Sequence, residues 1–161
     1  MSHYTLQYLK TDQKARYQGY MYYFKEGFCW TFILNENSEY QKTRLKLASV
    51  NDVNAMALYP CKYCQISTKY LVCLFNSFFI YSYKSKYINN TSSFQINDAR
   101  QLPVIIPSKK ELIMFEKLFD EAFEIKKNQY SNIITSDVAE LKLLEIQEKI
   151  DNLVLKLYKI I

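Results

Sequence analysis

The sequence predicts an α+β fold: a mixed αβ part over residues 1–107, with a twisted sheet and packed helices, followed by an α-helical hairpin over residues 108–161. Three observations predict it. Short runs of alternating apolar residues, Phe28 to Leu34 and Thr43 to Leu47, have the pattern of strands with one buried face, with the polar Asn35 to Lys42 as a loop between them. From Ser108 onward two long patterns at helical spacing are joined by a polar link. The charge changes at the same boundary: residues 1–107 hold 12 Lys and Arg against 6 Asp and Glu, net +6, and residues 108–161 hold 9 against 10, net −1. A chain of 161 residues with 49% apolar side chains can bury one sizeable core and a small appendage.

Taken in order, "GYMYYFKEGFCWTFIL" reads as two β-rich runs flanking Lys25, Glu26 and Gly27, a hairpin with Phe28, Trp30, Phe32 and Leu34 on one face. "TRLKL", Thr43 to Leu47, alternates again as a third strand and puts Arg44 and Lys46 on one face. Ser67 is placed to cap a core helix running to about Tyr83, with Tyr70, Leu71, Leu74, Phe75, Phe78 and Phe79 as its apolar stripe. Asn97 or Asp98 is expected to cap a short helix that Pro103 ends, and "VII" before Pro107 reads as a brief buried strand. Ser108 and Glu111 form a capping box, after which Leu112, Phe115, Leu118, Phe119 and Ala122 share a face. "KNQYSNIITS" reads as the link. In the last helix Leu143, Ile146, Ile150, Leu153, Leu157 and Ile160 alternate steps of three and four, a seam of coiled-coil type.

Composition narrows the chemistry. The only glycines, Gly19 and Gly27, stand in no phosphate-cradling motif, and the only histidine, His3, leaves no base for a histidine-dependent mechanism. A stand-alone enzyme is therefore not expected. Cys29, Cys61, Cys64 and Cys73 fit a reducing compartment, three of them as core residues; Cys61 and Cys64 make a CxxC, but zinc needs four ligands and no metal site is expected. The longest apolar stretch, Tyr70 to Tyr83, is interrupted and too short to span a bilayer, and no secretory signal opens the chain, so a soluble cytoplasmic protein is expected. The basic part also carries 13 of the 15 tyrosines. Cations interleaved with Tyr, Asn and Gln suit a nucleic-acid surface; a tyrosine-rich β domain with solvated lysines has the same composition.

The stretch "KYLVCLFNSFFIYSYKSKYINNTSSFQINDARQLPVIIPS" resembles the core of the TaqI-like specificity, or target-recognition, domains of adenine-N6 DNA methyltransferases in restriction-modification systems, type IIG enzymes included. The similar pieces are "LFNS", "SFQINDARQLPVIIPS" and the closing "LLEIQEKIDNLVLKLYKI", with "EGFCWTFI" and "TRLK" upstream. The resemblance implies a non-catalytic module that recognises double-stranded DNA. The methyltransferase catalytic domain, in cis or in trans, would hold S-adenosylmethionine; this chain would hold no cofactor. Its Asn-Pro-Pro-Tyr motif does not occur here, which points to an excised piece or a free-standing recognition subunit.

The resemblance also divides the candidate residues. A loop shared by domains that read different sites cannot discriminate bases, so "SSFQINDARQLP" is expected to be scaffold, with Phe94 in the core. Lys14, Arg16, Lys42, Arg44, Lys46, Lys84 and Lys86 are candidate phosphate contacts, and Thr91, Ser92 and Ser93 candidate phosphate donors. Lys84 and Lys86 equally suit the negative end of the preceding helix. Arg16, Gln18, Asn51 and Asn54 have side chains that read adenine or guanine edges, though each also serves as an ordinary turn residue. The rival expectation is a protein-interaction module working through the C-terminal coiled-coil-like helices.

Overall fold

The strand at the tryptophan is the central one. β1 (Gly27–Thr31) pairs antiparallel with β2 (Thr43–Lys46) on one side and with β3 (Ala55–Leu58) on the other. The computed structural model describes residues 7, 8, 11, 12, 19–34, 38–50, 55–61, 63, 64 and 66–161, and it is α+β: this sheet, short helices, then two long packed helices. Phe28 and Trp30 point to the helical side and are buried, opposite Leu45 and Thr43 in β2. A Cβ at Gly27 would overlap the Leu58 carbonyl oxygen, so glycine is what lets β3 close on β1 there.

The first arm of the predicted hairpin is not a strand. Tyr20–Tyr22 form a single 3-10 turn entered through Gly19 at φ 71°, and Phe24 is also left-handed at φ 59° with its N–H donating to Ser49 O. The aromatic run carries β propensity, but propensity of that kind reflects packing partners, and β3 takes the place beside β1 instead. β3 begins inside "SVNDVNAM", a segment whose polar composition suggests a loop.

The core helix is broken in two. α1 (Thr68–Phe75) is capped by Ser67, whose side chain accepts from the Lys69 N–H, and α2 (Phe78–Tyr83) is capped by Ser77. Between them Asn76 turns its amide to the sheet: Oδ1 accepts from the Thr43 N–H at 2.6 Å and Nδ2 donates to the Thr43 carbonyl at 2.7 Å. Gln147 Nε2 donates to the Asn76 carbonyl at 3.0 Å, and the Phe78 N–H donates to Asp151 Oδ1 at 2.7 Å. Backbone groups freed by the break thus find partners. The "LFNS" tetrapeptide is a clasp between helix, sheet edge and C-terminal helix. Asn76→Ala is expected to cost about 2 to 3 kcal/mol, because two half-buried Thr43 groups lose their partners. Asn76→Asp should be no better, since one carboxylate oxygen then faces the Thr43 carbonyl. A urea midpoint equal to wild type in both variants would show that the clasp holds nothing.

α2 runs on into a π-helical turn, Lys84–Ile88, before an Ile33–Ser93 bridge ties the following loop to the end of β1. Phe94 is buried, as expected. α3 (Ile96–Ala99) has Gln95 as its N-cap, and Asp98 sits inside the first turn, where Oδ2 accepts from the Gln95 N–H at 2.8 Å. The segment between Pro103 and Pro107 is no buried strand: Val104, Ile105 and Ile106 are exposed, Ile106 at 72%. Two prolines remove donors a ladder needs, and the Pro103 and Ile105 carbonyls accept instead from the Tyr158 and Tyr70 hydroxyls.

α4 (Lys109–Tyr130) opens on the predicted capping box, Ser108 N–H donating to Glu111 Oε2 and Glu111 N–H to Ser108 Oγ. It continues through "KNQY", so the link is only residues 131–135, with Asn132 left-handed at φ 55° and Thr135 capping α5 (Ser136–Leu157). The seam is as predicted in its middle: Ile146 and Ile150 are buried and Leu143, Leu153 and Leu157 half-buried. Ala139 and Val154 complete it, whereas Ile160 lies past the helix end and is 51% exposed. Phe115 and Leu118 of α4 are buried too, and Phe115 meets Tyr70 of α1 edge-on at 5.0 Å. One buried cluster therefore runs from Phe28 and Trp30 through Phe75 to Phe115 and Val154. Among the described residues no helix is long and apolar enough to cross a membrane.

Candidate nucleic-acid interface

β2 carries two of the candidate cations and a third precedes it, and the fold treats them differently. Lys42 stands before the strand at φ 55° and is exposed; Arg44 is exposed too, on the strand face in register with Cys29. Lys46 shares that face, as alternation predicts, but is buried. Its ammonium donates to Ser49 O at 2.8 Å, Ser49 Oγ at 3.0 Å and Leu47 O at 3.3 Å, and it lies 5.6 Å from the Tyr59 ring centre. An amine held by carbonyls in this way stitches the turn after β2 and is not presented to a phosphate.

Lys84 is likewise withdrawn. It is 3% exposed, its Nζ donates to the Thr91 carbonyl at 2.8 Å, and burial pushes its pKa down, with the Asp98 carboxylate offsetting part of that. Lys86, two residues on, is exposed. The "NNTSS" loop above Lys84 is internally bonded. Asn89 Oδ1 accepts from the Thr91 N–H at 2.9 Å and its hydroxyl at 2.7 Å, and Asn89 Nδ2 donates to Ser93 O and Asp98 Oδ2. Thr91 Oγ1 and Ser93 Oγ are 3.0 Å apart, and Ser92 O accepts from the Leu34 N–H. Lys84, Thr91 and Ser92 come together, with Leu34, Tyr81, Ser85 and Asn90, around a polar pocket of about 330 Å³. Lys14, Arg16, Gln18, Asn51 and Asn54 lie outside the described residues.

A second exposed set was not read from the sequence. Tyr20, Tyr22 and Phe24 are all more than 40% exposed, the Tyr22 and Tyr59 rings stack at 5.0 Å, and Lys25 Nζ lies 5.4 Å from the Tyr22 ring centre. Tyr22 and Tyr59 also line a pocket of about 360 Å³ with Ile96 and Arg100. Flat rings beside two exposed cations suit stacking on bases or sugars. The signal was the tyrosine-lysine interleaving of "GYMYYFK", which a strand assignment would have split between two sheet faces.

The cysteines are all free. Cys29 and Cys73 are buried, and burial pushes the Cys73 thiol up to about 12, with Asp120 adding to the rise. Cys61 and Cys64 are exposed on one turn, so two of the four are core residues rather than three. In comparisons with family models, curated proteins and solved structures, none matches the chain.

Proposed function

We propose that the chain is a sequence-specific DNA-recognition module of a restriction-modification system, holding duplex DNA so that an adenine-N6 methyltransferase catalytic domain can extrude and methylate its base. The observation that carries this reading is the charge partition, net +6 over residues 1–107 against −1 beyond, and it is supported by the exposure of Lys42, Arg44 and Lys86. Withdrawal of Lys46 and Lys84 narrows the phosphate set to those three cations with Thr91 and Ser92, beside Lys14 and Arg16. Extrusion of a base costs a few kcal/mol of unstacking, which the catalytic pocket and this module's grip together offset.

The test is a salt-dependent titration of generic duplex DNA with the full chain. Lys42→Gln, Arg44→Gln and Lys86→Gln together should weaken binding on all duplexes alike and flatten the slope of log affinity against log salt by about 0.9 for each phosphate no longer neutralised. Lys46→Gln and Lys84→Gln should leave that slope alone. A triple variant with the wild-type slope would sink the assignment. Substitution of Gln18, Asn51 or Asn54 should instead cost about 1 to 3 kcal/mol on the cognate site only. The chain alone should transfer no methyl group to DNA.

A second reading, a protein-interaction module working through its C-terminal helices, is favoured by Val138, Leu141 and Leu144. These stand three residues apart on α5 and are 41%, 65% and 59% exposed. It predicts that Leu141→Glu with Leu144→Glu abolishes association with the methyltransferase while DNA affinity stays unchanged.

A further inference from the structure

β2 is an edge strand, since the sheet order is β2-β1-β3. Its outward backbone groups can be assigned. The Thr43 N–H and C=O point away from β1, because Asn76 takes both. In an antiparallel ladder outward-facing residues recur every second position, so Leu45 presents its N–H and C=O on the same edge. Among the described residues no side chain or loop bonds them. Among the described residues Asn76 thus closes one end of the edge and leaves the next pair open, the template for adding a strand.

That open edge borders a groove of about 470 Å³ between β2 and the helical hairpin. Val72, Cys73 and Ile150 form its buried floor, and Leu47 and Phe123, 65% and 49% exposed, its walls. Arg44 and Lys126, both exposed, are its charged residues, and no carboxylate lines it among the described residues. We propose that this groove takes an extended peptide segment of another protein, apolar on one side and carrying carboxylates, added as a strand along β2 at Leu45. An extended chain sends alternate side chains to opposite sides, so apolar residues enter the groove while the acidic residues between them stay at its rim, within reach of the exposed Arg44 and Lys126. Backbone pairing favours a strand over a helix, whose own amides are already spent. A second copy of this chain fits poorly, because it would set the same two cations against each other in a protein of net charge +5. The inference stands apart from the DNA reading, and Lys126 belongs only to it.

The test uses the full chain labelled with ¹⁵N and two blocked peptides about eight residues long, one alternating valine with glutamate, the other valine with lysine. The glutamate peptide should shift the Leu45 and Leu47 amides saturably and slow exchange of the Leu45 amide, and the lysine peptide should bind at least about tenfold more weakly. Lys126→Glu, an exposed change that leaves the melting temperature in place, should erase that preference. Equal responses to both peptides, or shifts elsewhere, overturn the proposal. So does a Leu45 amide already protected without peptide, or protected increasingly with protein concentration, which would give the edge to this chain itself.

Discussion

Val154→Asp should detach α5 from the core, and it should be more damaging than Ile150→Asp although both place a carboxylate in the same seam. Val154 has no exposure at all and Ile150 is 6% exposed. Ile150 also floors the groove beside β2, so an aspartate there has a short path to water. An aspartate at Val154 has none, and stays either charged without a partner or protonated in an apolar site. Losing the aliphatic side chain and burying the carboxyl should together cost roughly 3 to 5 kcal/mol at Val154 and less at Ile150. At about 2 to 4 °C per kcal/mol for a domain of this size, the Val154 variant should melt about 6 to 20 °C below wild type. Val154→Ala, which leaves a cavity but buries no carboxyl, should cost roughly 1.5 to 3 kcal/mol and melt between the two. Equal melting temperatures for Val154→Asp and wild type would mean that the hairpin does not pack through this seam.

The hairpin was legible in sequence because its signals are local. A capping box at Ser108 and Glu111 and apolar residues at steps of three and four act over one or two turns, and the fold keeps them. The larger departures are tertiary. Helical spacing carries across Asn76 without interruption, yet the helix breaks there because Thr43, 33 positions away, offers two backbone groups to the Asn76 amide. Alternation placed Arg44 and Lys46 on one face correctly but could not show that the turn at Ser49 brings carbonyls to the Lys46 amine. The "VII" triplet has strand composition, but prolines flank it and tyrosine hydroxyls take the Pro103 and Ile105 carbonyls. For the candidate site the limit is similar: charge and residue type identify which side chains suit DNA, whereas burial decides which are presented, and Lys84 differs from Lys86 because the Thr91 carbonyl takes its ammonium.

Trp30→Ala should be as costly as any single substitution in the sheet. The indole is 1% exposed and meets Phe28, Phe75 and Phe94 at 6.0, 6.2 and 5.3 Å between ring centres. Truncation at such a site costs roughly 3 to 5 kcal/mol, through weaker packing and the cavity left behind. The indole also has a second role, separable by Trp30→Phe. Its Nε1–H donates to the Phe94 carbonyl at 2.9 Å inside the core, so phenylalanine keeps an aromatic ring but leaves that carbonyl unpaired, at about 1 to 3 kcal/mol. Phe94 follows directly on Ser92 and Ser93, and the Phe94 N–H and Ser92 carbonyl bond to Phe32 and Leu34 beyond the end of β1. Trp30 therefore fastens the "NNTSS" loop to the sheet from beneath. In Trp30→Phe, amide exchange at Phe94 and Leu34 should accelerate by more than the global loss of stability accounts for, while the α5 amides track the global change. Uniform acceleration across all these amides would show that the indole only fills space and that the loop is held by its own network around Asn89.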